Sequence, residues 1–317
     1  MANISTKKTE KTALNKIENL LDELETFDYN FVADNTGIPW DGYIDLYHGN
    51  IDDKGNFDTR IDAQIKGRTT NIKKLQEKWK FDIDKKDLEN YNKIDGTLFL
   101  AVRFLKNGDF KIYYKSLLPK NINDLLKEQP NAKNEIKVTL KEVKNALDLE
   151  RICRNFALDK ETQKKLSKEI FDHNALSIGN QKLGTFSTWH RGKFNPLTIL
   201  GEEKFIYVLD ENENIIDVEY AEIKEVVQGL NLTVRNKNGI IYYSTVNHSV
   251  ELLGSQKLIF GKAFSLSDNP QKFSIHLSGT LKERIKQLNF IKDITKDNGF
   301  FIEDLYITLK KKVNNIE

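Results

Sequence analysis

Three side chains on two short segments are of the types that together can cut a phosphodiester. Asp45 lies in Gly42-Tyr43-Ile44-Asp45-Leu46, and Gln64 and Lys66 lie in Arg60-Ile61-Asp62-Ala63-Gln64-Ile65-Lys66. Breaking a P–O bond calls for a Lewis acid on the phosphoryl oxygens and an activated water in line with the leaving group. Asp45 is a hard oxygen donor suited to magnesium; Gln64 adds a side-chain carbonyl oxygen, and the backbone carbonyl of Ile65 is adjacent. Lys66 is the group to orient or deprotonate the water and to stabilise developing negative charge.

Both segments read as strands. Ile61, Ala63 and Ile65 point one way and Asp62, Gln64 and Lys66 the other, so the polar set shares one face. Ahead of them, residues 10–25 carry Leu14, Ile17, Leu20, Leu21 and Leu24 at helical spacing, which predicts an amphipathic helix. A strand is expected over 27–33, a turn at the breaker cluster 35–39 and a polar loop over 50–58. Beyond Gly67, residues 79–83 read as extended. Asp84 then reads as the N-cap of a short helix with Leu88 and Tyr91, with Asp87 in the capping-box position. Residues 98–104 and 110–114 read as a hairpin around Lys106-Asn107-Gly108-Asp109. Helix, strands, helix, strands in this order predict an α/β (α+β) domain, a mixed sheet flanked by helices, over residues 1–120.

Residues 121–175 read as a helical connector, interrupted by an extended piece at 136–140. From 176 to 317 the pattern is β-rich. Hairpins are expected around 210–214 and around Asn236-Lys237-Asn238-Gly239, and strands over 258–264 and 273–277. A helix is expected after a Thr280/Glu283 capping box, its apolar stripe being Leu281, Ile285, Leu288 and Ile291. This second half holds no comparable constellation of acids, histidines and lysines. It is expected to form a recognition or regulatory domain whose ligand is DNA, a partner protein or a phage-derived component.

The bulk composition restricts the reading further. Over 317 residues, 39% are hydrophobic and 30% charged, as in a folded soluble chain, and the net charge of +2 makes any basic surface local. No run approaches the roughly 18 apolar residues of a membrane span. One cysteine, Cys153, excludes an intrachain disulfide, fits a reducing cytoplasm and reads as a small buried hydrophobe. Five scattered histidines, among them His173, His248 and His276, give no zinc-ligand spacing. His190, in Thr188-Trp189-His190-Arg191-Gly192-Lys193, reads as part of a strand end with Trp189 buried. Phosphate-binding glycine loops and a nucleophile elbow are absent.

Asp45 with Gln64-Ile65-Lys66 resembles the PD-(D/E)xK nuclease signature in its Gln-x-Lys form, as in Mrr-like restriction enzymes. The context Trp40-Asp41-Gly42-Tyr43-Ile44-Asp45-Leu46, then Asp62-Ala63-Gln64-Ile65-Lys66-Gly67-Arg68, is similar to an uncharacterised prokaryotic domain family of that superfamily. Phe81-Asp82-Ile83-Asp84 with Leu88 and the strand at 98–102 extend the resemblance, which covers about residues 8–120. It implies a restriction-endonuclease-like core and a magnesium-dependent endodeoxyribonuclease, with manganese as a substitute metal. It also implies cleavage of DNA in restriction or anti-phage defence, by a homo-oligomer where both strands are cut. The usual second acid is replaced by Gln64, so a compensating carboxylate is sought at Glu10, Asp62 or Glu18, in that order. The same replacement supports the alternative, a catalytically inactive nuclease-fold module acting as a sensor or partner subunit. Downstream, Arg68, Lys73, Lys74, Lys78 and Lys80 meet a single acid, Glu77; with Lys66 they form a basic run suited to a phosphate backbone. Trp79 beside them reads as core rather than as a base-stacking platform.

Overall fold

The computed structural model describes residues 6–32, 40–49, 51–166, 170, 184–252, 254–268 and 271–309. The turn expected at 35–39, His173 and the boundary expected at 175–176 fall outside these residues. The chain divides into two compact units, Met1–Lys193 with Lys204–Ala221, and Phe194–Glu203 with Glu222–Glu317.

The first unit runs α1 (Thr6–Leu21), β1 (Phe27–Phe31), β2 (Gly42–Tyr47), β3 (Phe57–Thr70), β4 (Lys78–Asp84), α2 (Lys85–Lys93), β5 (Thr97–Leu105) and β6 (Phe110–Leu117). It continues with α3 (Pro119–Glu128), β7 (Glu135–Val143), α4 (Ala146–Lys164), β8 (Gly184–Thr185), β9 (Glu203–Leu209) and β10 (Ile215–Glu222). Strands β1 to β7 form one seven-stranded mixed sheet in the order β1-β2-β3-β5-β6-β7-β4. Its single parallel pair, β3 with β5, aligns Gln64 with Phe99 and Lys66 with Ala101. That pair needs a crossover, which β4 and α2 supply.

Each face of the sheet has its own core. Ile61, Ala63 and Ile65 pack with Ala13, Ile17 and Leu21 of α1 and with Ile152, Cys153 and Phe156 of α4. On the opposite face, Phe99, Ala101 and Tyr113 pack with Trp79 and Phe81 of β4, Leu88 and Tyr91 of α2 and Ile122 of α3. The alternation read from β3 therefore places Gln64 and Lys66 on the face of the second cluster. Trp79 is a core residue, 5% exposed. Burial leaves Cys153 fully enclosed and pushes its thiol up.

The segment expected to be a helical connector is integral to this unit. Strand β7 pairs antiparallel with both β4 and β6, so residues 136–140 lie inside the sheet. Ile136, Val138 and Leu140 alternate into the second cluster, while Leu149 to Phe156 of α4 cover the first. Period-two alternation over so short a stretch between two helices is a weak signal in sequence. The hairpin at 210–214 also belongs to the first unit, since Phe205, Tyr207 and Val218 close its first cluster.

The second unit is β-rich, as expected. Strands β11 (Glu225–Leu230), β14 (Val246–Glu251), β15 (Gln256–Phe260), β16 (Phe264–Asp268) and β17 (Gln271–Ile275) form one sheet; β12 (Val234–Arg235), β13 (Ile241–Tyr243), β18 (Gly299–Ile302) and β19 (Leu305–Thr308) form another. The stretch expected as one strand over 258–264 is a hairpin, turned at Gly261 with φ +62°. Helix α5 (Leu281–Asp297) starts with the expected capping box but buries the other stripe. Phe290, 0% exposed, contacts Phe260, Phe264 and Phe300 edge-on, leaving Leu281 77% exposed. The large aromatic ring decides which of two helical stripes faces in.

One buried acid outside the ladder tests the packing of the first unit. Asp159 on α4 accepts from the Tyr207 hydroxyl at 2.8 Å, and burial pushes its carboxyl up to about 7. A carboxyl raised in the folded state favours folding while protonated, and that contribution is lost as pH rises from about 4 to about 7. Chemical denaturation should find the protein roughly 2–3 kcal/mol less stable at pH 8 than at pH 5 from this group. Asp159→Asn should flatten that slope, and an unchanged slope would show that Asp159 is not its source.

Candidate active site at the end of the β2–β3 ladder

Strand β2 pairs with β3 from Gly42↔Ala63 to Tyr47↔Phe57, which sets Asp45 opposite Arg60. The structure therefore does not bring Asp45 to Gln64. The two positions are four residues apart along the ladder, about 13 Å at strand rise. Asp45 is 6% exposed and both its oxygens are taken, accepting from Arg60 Nε and Nη2 at 2.7 Å each. The Arg60 guanidinium lies 3.5 Å from the centre of the Tyr43 ring, and the Asp45 carboxylate raises its pKa further. Asp45 is thus the acid of a forked ion pair.

The acid that meets Gln64 is Asp41. Its backbone N–H donates to Ala63 O at 3.1 Å, extending the ladder one step beyond β2. There β2 stops and β3 runs on, so the Ile65 N–H loses its strand partner on that side. The Asp41 side chain supplies one: Oδ2 accepts from Ile65 N at 2.8 Å and from Gln64 Nε2 at 2.6 Å. Gln64 Nε2 also lies 3.4 Å from Ile65 O. Burial pushes the Asp41 carboxyl up; the Ile65 amide, the Lys66 charge and the Gln64 amide pull it back.

Lys66 follows on the same face, half-buried and without a hydrogen bond or ion pair among the described residues. Gly67 fixes the approach of α1, because a Cβ there would stand 2.6 Å from Thr9 O and 2.9 Å from Ala13 Cβ.

The acids sought as a second ligand lie elsewhere. Glu10 is half-buried on α1 and makes no hydrogen bond or ion pair among the described residues. Asp62 is paired with Lys160 of α4 at 2.9 Å. Burial and then Asp22 raise Glu18. The acid whose field reaches the site is Asp87, in the first turn of α2. Burial and then Asp84 push its carboxyl up, and Lys66 lowers it. Asp87 and Asp41 both raise the buried Tyr91 phenol, after burial itself.

Of the basic run, Arg68 continues the Gln64–Lys66 face, and its guanidinium sits 4.6 Å from the Phe81 ring centre. Lys73 and Lys74 are exposed on the loop after β3, which Leu75 anchors and the Tyr113 hydroxyl ties by donating to Gln76 O at 2.7 Å. Lys78 is exposed on β4, opposite Lys141. His190 lies 3.3 Å from Thr188 Oγ1, and Trp189, half-buried, donates its N–H to Asn155.

Sequence missed Asp41 because the choice between two aspartates on one strand depends on hairpin register. One signal was available: Asp41 precedes Gly42, at the strand start, where a side chain can reach around the ladder end.

The donors around Gln64 suit a hard cation, namely the Asp41 carboxylate, the Gln64 amide oxygen and the Ile65 carbonyl. Only one of them is charged, and among the described residues no three His, Cys, Asp or Glu side chains are grouped to hold a metal. With a single charged group among these donors, any hard cation there would be held only weakly.

If Asp45 serves the fold, Asp45→Ala strands the Arg60 guanidinium and should cost about 1–3 kcal/mol of stability. The lower half of that range is expected because the Arg60 side chain is 50% exposed. Denaturation of Asp45→Ala, Arg60→Ala and the double variant measures the coupling, and strict additivity would remove the pair from the account. No family model, curated protein or solved structure matches this chain.

Proposed function

We propose that the first unit is a metal-dependent nuclease that hydrolyses DNA phosphodiester bonds at Asp41, Gln64, Ile65 and Lys66. The observation that supports this reading is the shared Asp41 Oδ2, which draws the Gln64 amide and the Ile65 N–H to one point beside Lys66. Asp41 keeps Oδ1 and Gln64 keeps its carbonyl oxygen for a magnesium ion. Such an ion, when bound, supplies a Lewis acid for the phosphoryl oxygen and a more acidic water. Lys66 holds a positive charge at the same face, where it attracts the phosphate and stabilises charge building on its oxygens. Asp87, whose carboxyl the Lys66 charge lowers, is the further acid that acts near this face, outside the donor set itself. A place in restriction or anti-phage defence rests on the resemblance to PD-(D/E)xK enzymes alone.

One observation favours a second reading, a nuclease-like module without catalysis. The site has a single charged donor next to a lysine, which weakens any cation. Titration calorimetry with magnesium separates the two: an active site shows weak binding that Asp41→Asn abolishes, and a silent site shows none.

Asp41→Asn preserves the shape and still accepts from Ile65 N, so it should leave the melting temperature within a few degrees. Asp41→Asn and Lys66→Ala should each lower magnesium-dependent cleavage of plasmid DNA at least about 100-fold. Asp45→Asn should cut at a rate near wild type after correction for folded fraction. Equal cleavage by wild type, Asp41→Asn and Lys66→Ala would end the assignment.

A further inference from the structure

Beyond Lys66, the face that carries Gln64 becomes a row of cations with few acids to answer them. The β3–β5 register sets Arg68 beside Arg103, and the β5–β6 register sets Arg103 opposite Lys111. Like charges on neighbouring strands repel at about 5 Å, and such pairs destabilise a sheet. Among the described residues the row has one acid partner, Glu142, which takes Lys111 at 2.5 Å.

Arg68 and Arg103 rest against aromatic rings instead. Arg68 lies 4.6 Å from the Phe81 ring centre and Arg103 lies 4.9 Å from the Trp79 ring centre. Trp79 and Phe81 are themselves core residues packed edge to face at 4.9 Å, so the platform is rigid. A cation–π contact uses no carbonyl or carboxylate acceptor, so guanidinium donors held this way can still serve an oxyanion. Arg68 makes no hydrogen bond or ion pair among the described residues. Among the described residues Arg103 reaches only Thr70 Oγ1, at 3.4 Å, and its buried Nε has no acceptor. Two guanidinium groups placed side by side against aromatic rings, Arg68 exposed and Arg103 half-buried, suit an anion receptor.

The spacing extends the candidate active site. Arg68 is two residues past Lys66 on the same face, about 7 Å away along the strand. Duplex DNA presents a phosphate on each strand roughly every 3.4 Å along its axis, so this span stays within about two phosphate steps of the site.

We propose that Arg68 and Arg103 form a clamp for the phosphodiester backbone, gripping the phosphates next to the one that meets Asp41, Gln64 and Lys66. The identity of the polyanion rests on the nuclease reading; the anion chemistry of the clamp does not. A forked guanidinium on an aromatic face also distinguishes this contact from the flexible lysines of the following loop.

The test measures fluorescence anisotropy of a short labelled DNA duplex in EDTA, across a series of KCl concentrations, with the full chain. Arg103→Gln and Arg68→Gln should each weaken binding about 10-fold and reduce the salt slope by roughly one, and together they should act more strongly. Arg103→Lys keeps the charge and should retain the slope while losing part of the affinity. It also covers the case in which Arg103→Gln fails to fold. Lys93→Gln, the same charge change on α2, should bind like wild type. Wild-type affinity and slope in Arg68→Gln and Arg103→Gln would overturn the clamp while leaving Asp41-dependent cleavage intact. A wild type that binds inorganic phosphate by calorimetry but no duplex would assign the clamp to a small anion and overturn it for DNA; binding neither would overturn it entirely. Cleavage that survives Asp41→Asn, with the clamp effects present, would instead remove the nuclease assignment alone.

Discussion

A single carboxylate oxygen organises the end of the β2–β3 ladder. Asp41 Oδ2 accepts from the Ile65 backbone and from the Gln64 side chain, both within 2.8 Å. Without it, Ile65 N–H would lack an acceptor on the side where β2 has ended, a loss on the order of 1–3 kcal/mol for a buried donor. The same oxygen fixes the Gln64 rotamer and so the direction in which its carbonyl points. Burial of Asp41 opposes ionisation, and the Lys66 charge and two donated hydrogen bonds oppose that burial effect. The position of Lys66 is held from the other side by Gly67, against which α1 packs backbone to backbone.

Two aspartates on one strand face thus have different fates. Asp45 is fully engaged by a forked arginine, and such a pair resists a second ligand because both oxygens already hold charge-assisted hydrogen bonds. Asp41 accepts both its side-chain hydrogen bonds through one oxygen, Oδ2, and keeps the other. The difference follows from register, since Asp45 meets a long cationic side chain while Asp41 meets a neutral amide and a backbone donor. Residue type is the same in both places, and the chemistry is set by what stands across the ladder.

Much of the first unit was legible in residues 10–114. The helix stripe of Ile17 and Leu21, the alternation of Ile61, Ala63 and Ile65, the Asp84 cap and the hairpin at 106–109 all involve strong periodic or turn signals. Three things were not legible. The hairpin register, with a bulge between Leu46 and Tyr47, depends on how a loop of Asp, Asn and Gly closes, and those residues accept several closures. The role of β7 depended on a pairing partner far away in sequence, β4, which local pattern cannot name. The buried stripe of α5 was a choice between two helical faces, and Leu281, Ile285 and Leu288 lost to the one aromatic face built around Phe290. In the candidate site, Gln64, Ile65 and Lys66 were readable as a set, whereas the acid that completes it was misassigned by one register choice.

That choice has a wider consequence. Strand β3 has 14 residues and β2 has 6, so β3 outlasts its antiparallel neighbour. Past Ala63 the strand keeps only its parallel partner β5 in the ladder, and the face bearing Gln64, Lys66 and Arg68 carries polar groups in sequence. An isolated strand end with this much charge would fray. It is held because Ile65 keeps to the first core, Trp79 and Phe81 support the arginines from the opposite face, and Asp41 closes the broken ladder. The mismatch in strand length thereby gathers one acid, one amide, one lysine and Arg68 along the free stretch of β3, with Arg103 beside them on β5, while the aliphatic alternation beneath anchors that stretch to the first core.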